Sequence, residues 1–186
     1  MEDLKNIIED CVSGNVRAQE TLYNMLAPKM FGVCLRYSKD WTEAEDSLQE
    51  GFIRFFTYLK NFRHQGSLEG WVRKIMVNVS LEKFRKQNIM YPVEDINIYD
   101  PQNYSENAIE KITADELIEL IQELPPRYRM VFNLYVLEGM NHKEISEVMQ
   151  ISEGTSKSNL ARGREILKKR VKELYGEGDT IENYTA

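Results

Sequence analysis

Glu138-Gly139-Met140-Asn141-His142-Lys143-Glu144-Ile145-Ser146-Glu147-Val148-Met149-Gln150-Ile151-Ser152-Glu153-Gly154-Thr155-Ser156-Lys157-Ser158 holds the plan of the C-terminal third of the chain. Asn141, with Glu144 three positions later, has the form of a capping box that opens a short helix. That helix carries Ile145, Val148 and Met149 as its apolar face. After Gln150-Ile151, Ser152 stands where it can cap a second helix. Two short amphipathic helices across so brief a turn form a helix-turn-helix. In the second helix Leu160, Gly163, Leu167 and Val171 share the core side. About half a turn away lie Ser158, Arg162, Glu165 and Lys169, flanked by Lys157, Ala161 and Lys168. Such a stripe suits a recognition helix, with short polar groups for base edges and cations for phosphates. An ordinary basic surface helix has the same look, and helix-turn-helix geometry also occurs in proteins that bind no nucleic acid.

Outward from this motif, nearly every patterned segment has helical period. Leu22, Met25, Leu26, Met30 and Val33 form one stripe. Ala44, Leu48, Phe52, Phe55 and Leu59 form a second, Leu68, Val72, Ile75 and Val79 a third, and Leu124, Tyr128, Val131 and Tyr135 a fourth. No hairpin signal with alternating flanks interrupts them. The expected fold is all-α. From about Asn88 to Ser105 the periodicity stops, and Pro92, Pro101, Asn and Asp residues and isolated tyrosines take over, which is linker composition. We therefore expect a first helical domain over 1–88, an acidic linker over 89–112, a helix-turn-helix domain over 113–175 and a tail over 176–186.

The composition of the 186 residues, 42% hydrophobic and 29% charged, is that of a globular chain. No apolar run reaches the roughly 18–20 residues that span a bilayer, so no direct membrane insertion is expected. The start, Met1-Glu2-Asp3-Leu4-Lys5, lacks a signal-peptide core. Cys11 and Cys34 form neither a CxxC nor a Cys/His cluster, which argues for a reduced cytoplasmic chain with no metal. The net charge of −6 hides a strong segregation. Lys60, Arg63, Arg73, Lys74, Lys83, Arg85 and Lys86 face only Glu69 and Glu82 within 60–86. Lys157, Arg162, Arg164, Lys168, Lys169, Arg170 and Lys172 face only Glu165 within 154–172. Between them the stretch from Ile89 to Glu123 is acidic but for Lys111. Local patches govern attraction to phosphates, so two basic islands suggest two nucleic-acid contacts; two solvated helix faces are the plainer alternative. No nucleophile with a base, no phosphate-binding Gly-rich loop and no cofactor site is legible, and His64 and His142 have no partner motif. The chain is not expected to be an enzyme.

Leu124-Pro125-Pro126-Arg127-Tyr128-Arg129-Met130-Val131-Phe132, Glu138-Gly139, Glu144-Ile145 and Ile151 to Ser158 together resemble region four of the sigma-70 family, nearest its extracytoplasmic-function group. In that family this domain reads the minus-thirty-five promoter element as duplex. The resemblance places Lys157, Ser158 and Arg162 at recognition positions, with Thr155 in the same motif and Arg164 nearby. Asn159 stands where a basic residue is common and Ala161 where a larger side chain is frequent.

Ala44-Glu45-Asp46-Ser47-Leu48-Gln49-Glu50-Gly51-Phe52-Ile53-Arg54-Phe55-Phe56 is similar to the family's region-two helix that grips the polymerase clamp. Asp46, Gln49, Glu50 and Ile53 fall along one flank of it, suited to a basic partner helix. Asn61 to Asn78 resembles the family's minus-ten segment. Opening a duplex requires a base to be unstacked and held, and a loop rich in small polar groups beside cations suits that. Arg63 to Glu69 would be that loop, built around Gly66, with Arg63, His64, Gln65, Gly66 and Ser67 as its DNA-binding residues. Lys74, Asn78 and Arg85, within about 40° of one another on the next helix, would track the opened strand. Phe62 and Trp71 are aromatic candidates for stacking, although Trp71 lies beside the apolar stripe and reads better as core.

The resemblance spans most of the chain and implies a sigma factor of minimal layout. It would bind core RNA polymerase, recognise the minus-ten and minus-thirty-five elements as duplex and as melted non-template strand, and promote DNA opening. It also implies an anti-sigma factor as partner and a linker, with Glu94, Asp95 and Asp100, threaded toward the polymerase active site. A stand-alone helix-turn-helix regulator is the alternative, and a helical interaction adaptor a further one. Neither needs the acidic helix or the loop after Phe62.

Overall fold

The computed structural model describes residues 2–90 and 113–175, and all of its elements are helical, with no strand among the described residues. The chain divides into two compact units, residues 1–86 and 87–186. The all-α, two-domain expectation therefore holds. Of the linker expected over 89–112, residues 89 and 90 still belong to the helix that ends at Met90, while 91–112, with Glu94, Asp95 and Asp100, and the tail from 176 lie outside the described residues.

The first unit runs α1 (Glu2–Val12), α2 (Val16–Tyr37), α3 (Trp41–Tyr58), a 3₁₀ turn (Leu59–Asn61) and α4 (Leu68–Met90). Short polar residues start the helices, because the first N–H groups of a helix have no partner within it. Asn15 accepts from the N–H groups of Arg17 and Ala18, and Asp40 accepts from Glu43 N–H at 2.8 Å. Leu22, Leu26, Met30 and Val33 of α2, Ala44, Leu48, Phe52 and Phe55 of α3, and Leu68, Val72, Met76 and Val79 of α4 are all buried. Two positions depart from the spacing. Met25 is 48% exposed, because it lies about a quarter turn outside the Leu22–Leu26–Met30–Val33 stripe. Ile75 is half-buried, with Met76 taking the inward place. Helix α1, which no motif announced, contributes Ile8 and Cys11 to the core. Both cysteines are reduced and buried, and burial pushes the Cys34 thiol up to about 12.

The second unit runs α5 (Ala114–Glu123), α6 (Pro126–Phe132), a π turn (Asn133–Leu137), α7 (His142–Met149) and α8 (Glu153–Tyr175). Thr113 and Glu116 form a capping box for α5. The long α8 is the element on which α5, α6 and α7 pack. Leu120, Leu124 and Leu167 form a core cluster, with Phe132, Ile166 and Val171 against it. Arg129, almost wholly buried, donates to the Gln122 carbonyl at 3.1 Å, so it satisfies an acceptor at the end of α5.

Candidate nucleic-acid interface

The helix-turn-helix is built by its caps. Asn141 Oδ1 accepts from Glu144 N–H at 3.0 Å, and the Glu144 carboxylate accepts from Asn141 N–H at 2.7 Å. Helix α7 ends at Gln150, whose φ of 56° is left-handed. Ser152 Oγ then accepts from Thr155 N–H at 3.0 Å and opens α8.

On α8, Lys157, Arg164, Glu165, Lys168 and Lys169 are exposed, while Thr155, Ser158, Ala161 and Arg162 are half-buried. The expected recognition residues thus differ in how they are held. Lys157 projects into solvent. The Thr155 hydroxyl lies 2.9 Å from Ser152 Oγ, and Ser158 Oγ donates to the Thr155 carbonyl, so both hydroxyls are engaged locally. Arg162 donates to Tyr128 Oη at 3.2 Å, which ties it to α6. The Arg164 guanidinium sits over the Tyr135 ring, 5.6 Å from its centroid. Asn159 is 4% exposed, so this departure from the family lies on the core side of α8, and only Ala161 alters the outer surface.

A cluster that the sequence did not announce stands behind this face. Tyr135 stacks on His142 with centroids 4.7 Å apart and planes at 25°. His142 Nδ1 is 3.0 Å from Ser156 Oγ. Burial, and next the charge of Lys157, hold the imidazole below its ordinary range, with Glu153 opposing. The π turn aims Tyr135 at this spot. A π turn leaves no residue signature, so only the adjacency of His142 to the motif could have hinted at it.

In the first unit, Asp46 and Gln49 are exposed on α3, and Ile53 is 68% exposed, a large aliphatic side chain left in water beside a carboxylate and an amide. Glu50, on the same flank, is occupied. Arg54 Nη2 donates to it at 2.6 Å, while Arg54 also clasps Glu82 of α4 with bonds of 2.8 and 2.7 Å. The bidentate clasp holds the Arg54 guanidinium well above its usual range and the Glu82 carboxyl below its own.

The loop between the 3₁₀ turn and α4 has two left-handed residues, His64 (φ 55°) and Gly66 (φ 99°). Gly66 is the residue type that adopts this conformation without strain, and it turns the chain between Gln65 and Ser67. Arg63 to Ser67 are all exposed, whereas Leu68 and Glu69, expected in the loop, already form the first turn of α4, with Leu68 buried in the core. Ser67 also accepts from Gly70 N–H at 3.0 Å, a capping role for α4 that its placement in the loop had not suggested. Phe62 packs on His64 and on Trp71, and Trp71 meets Phe55 at 5.9 Å, so Trp71 is half core and half surface. Lys74 and Asn78 are exposed and Arg85 half-buried on α4. Lys83, counted with the basic island, turns inward to Ser47 Oγ at 3.1 Å.

Among the described residues no group of three His, Cys, Asp or Glu side chains is placed to hold a metal ion, and no helix is long and apolar enough to cross a membrane.

The protein thus carries a helix-turn-helix unit and a second helical unit in which an acidic helix, a polar loop and a basic helix follow one another. Residues 22–89 match the family profile for Sigma-70 region 2, and residues 114–167 match that for Sigma-70, region 4. The ECF RNA polymerase sigma factor SigM of Bacillus subtilis is 30% identical over 161 residues, covering 86% of this chain and 96% of its own. The RNA polymerase sigma-H factor of Pseudomonas aeruginosa is 28% identical over 188 residues, covering 95% and 97%. Among solved structures, the sigma factor RpoE of Bartonella quintana, in complex with the anti-sigma factor NepR, is similar at a TM-score of 0.49 and 18% identity, covering 82% of this chain and 96% of that one. The chain belongs to the sigma-70 family of RNA polymerase sigma factors, in its extracytoplasmic-function (ECF) group.

Proposed function

We propose that this sigma factor performs promoter recognition and transcription initiation with the division of labour that its two units suggest. The exposed flank of α3, with Asp46, Gln49 and Ile53 and with Glu50 at its edge, docks on core RNA polymerase. The loop Arg63 to Ser67 and the outer face of α4, with Lys74, Asn78 and Arg85, hold the opened minus-ten strand. The start of α8, with Thr155, Lys157, Ser158, Arg162 and Arg164, reads the minus-thirty-five duplex. The domain roles follow the boundaries given above: the first domain serves core and the minus-ten element, the second the minus-thirty-five element. The protein acts by binding and makes no bonds itself. Its place of action is the cytoplasm, where the polymerase works, and an anti-sigma factor is the regulator we propose for it.

One observation carries this reading. Ile53, 68% exposed, stands on an acidic helix in the same chain as a capped helix-turn-helix with exposed Lys157 and Arg164. A stand-alone regulator needs the second feature and has no use for the first. The test is in vitro transcription by core polymerase with and without this protein. Promoter-specific initiation that depends on it, and that an Ile53→Asp substitution removes, is the expected result. Tight duplex binding without initiation would sink the reading in favour of the stand-alone regulator.

A further inference from the structure

Arg164 is exposed on α8, yet its guanidinium is held. It sits over the Tyr135 ring, 5.6 Å from the centroid, within the distance at which a cation is drawn to an aromatic face. Tyr135 is supported in turn. Its ring stacks on His142 with centroids 4.7 Å apart, and His142 Nδ1 lies 3.0 Å from the hydroxyl of Ser156, a fully buried residue of α8. The path leaves α8 at Ser156, crosses α7 and the π turn, and returns to α8 at Arg164, about two turns further along. One exposed arginine is thus braced from two neighbouring elements. On α8, Arg164 falls within about 20° of the exposed Lys157, and about 10 Å further from the helix start. Base edges are read from the first turns of a recognition helix, so a cation about three turns in is placed for the backbone phosphates.

We propose that Tyr135 is a positioning residue for promoter binding: its ring presets Arg164 for a phosphate of the minus-thirty-five duplex, and the His142–Ser156 pair holds the ring. A long side chain loses rotamer freedom when it is fixed on a phosphate, and one already confined over a ring loses less. The contact is with a ring and not with an acceptor atom, so the guanidinium keeps its N–H donors for phosphate oxygens. The proposal rests on the reading of α8 as the duplex-binding helix, and it adds how one of its cations is aimed. Two other roles for Tyr135 compete with it. The ring could serve packing alone, or its hydroxyl could touch the DNA directly.

The experiment is a double-variant cycle in holoenzyme binding to a promoter duplex on which the transcription test gives initiation. Tyr135→Met, which keeps apolar bulk and removes the ring, should weaken binding by about two- to five-fold, the range for one exposed cation–π contact. Tyr135→Phe, which keeps the ring, should bind as the parent does. In an Arg164→Ala background, Tyr135→Met should have no further effect, because the cation it positions is gone. An equal loss in both backgrounds means that the ring serves packing alone and overturns the proposal. A loss in Tyr135→Phe as large as in Tyr135→Met assigns the hydroxyl to the DNA and overturns it too. An NMR measurement on the free parent chain needs no variant to fold: the Arg164 δ protons should lie upfield of coil values, shielded by the ring, and coil values overturn the proposal. Lys157→Ala separates the levels of failure. If it weakens binding and Arg164→Ala does not, only the positioning role falls. If both are silent, the duplex reading of α8 falls with it.

Discussion

A methyl group added at Gly51 would lie 2.1 Å from Met76 Sδ, whereas one added at Gly32 would meet nothing within 4 Å. Both glycines sit in helix interiors, where replacement by alanine is worth about 1 kcal/mol in backbone terms. At Gly32 that gain stands alone, so Gly32→Ala should stabilise the first unit by roughly 0.5–1 kcal/mol. At Gly51 the buried Met76 must move within a filled core, at a cost of about 1–3 kcal/mol, so Gly51→Ala should destabilise. The two tryptophans of the chain, Trp41 and Trp71, both lie in the first unit. Urea unfolding followed by tryptophan fluorescence therefore reads this unit alone, and shifts of the same sign for both variants would refute the packing account. His142 offers a second test at this scale. Its pKa is lowered, mainly by burial. The unfolded chain then binds the proton more readily than the folded one below about pH 6.5. Stability of the second unit should fall as the pH drops from there toward the folded pKa, and remain level above it. An NMR titration of the His142 ring should give a midpoint below the model-peptide value, and His142→Gln should flatten that part of the pH–stability profile.

At the scale of elements, the helix-turn-helix depends on its caps more than on its core. Only Ile145 and Met149 of α7 are buried, so the reciprocal Asn141–Glu144 bonds carry much of the burden of starting it. Asn141→Ala should cost about 1 kcal/mol. Gln150→Gly should return a comparable amount, since φ of 56° strains a residue with a Cβ. Hydrogen exchange of the α7 amides measures both, and opposite signs are expected. These caps were legible because capping is a local chemistry of residue type and spacing. So were the stripes of α3 and α8, where one face alone is apolar. What the spacing hid was of another kind. Helix α1, with Leu4, Ile7, Ile8 and Cys11 at helical spacing, is legible by its stripe although no motif marks it, whereas the π turn shifts hydrogen bonds without changing residue types. The partners of Lys83 and Arg162 come from other helices, and Arg54, which bonds Glu50 within α3, also clasps Glu82 of α4, so a helical wheel drawn one helix at a time misses these ties between helices.

On the scale of the whole molecule, a chain of net charge −6 has to meet a polyanion, and it does so by segregation. Each basic island lies in its own unit with its own core, and the acidic residues are gathered mostly elsewhere. Within the islands the structure further separates exposed cations from bonded ones. Lys74 and Lys157 are exposed, whereas Lys83 and Arg170 are bonded to Ser47 and Glu123. Neutralising a phosphate-contacting cation releases one counterion fewer, so the slope of log affinity against log salt falls by about 1 for each. Lys74→Ala and Lys157→Ala should each lower that slope by this amount in promoter binding by the holoenzyme. Because the two residues belong to separate units, their effects should add, and the double variant should lose about 2. Replacing Lys83 should leave the slope alone while lowering the stability of the first unit. A double variant no worse than either single would mean that the two units do not engage the DNA together, and that one island alone carries the contact.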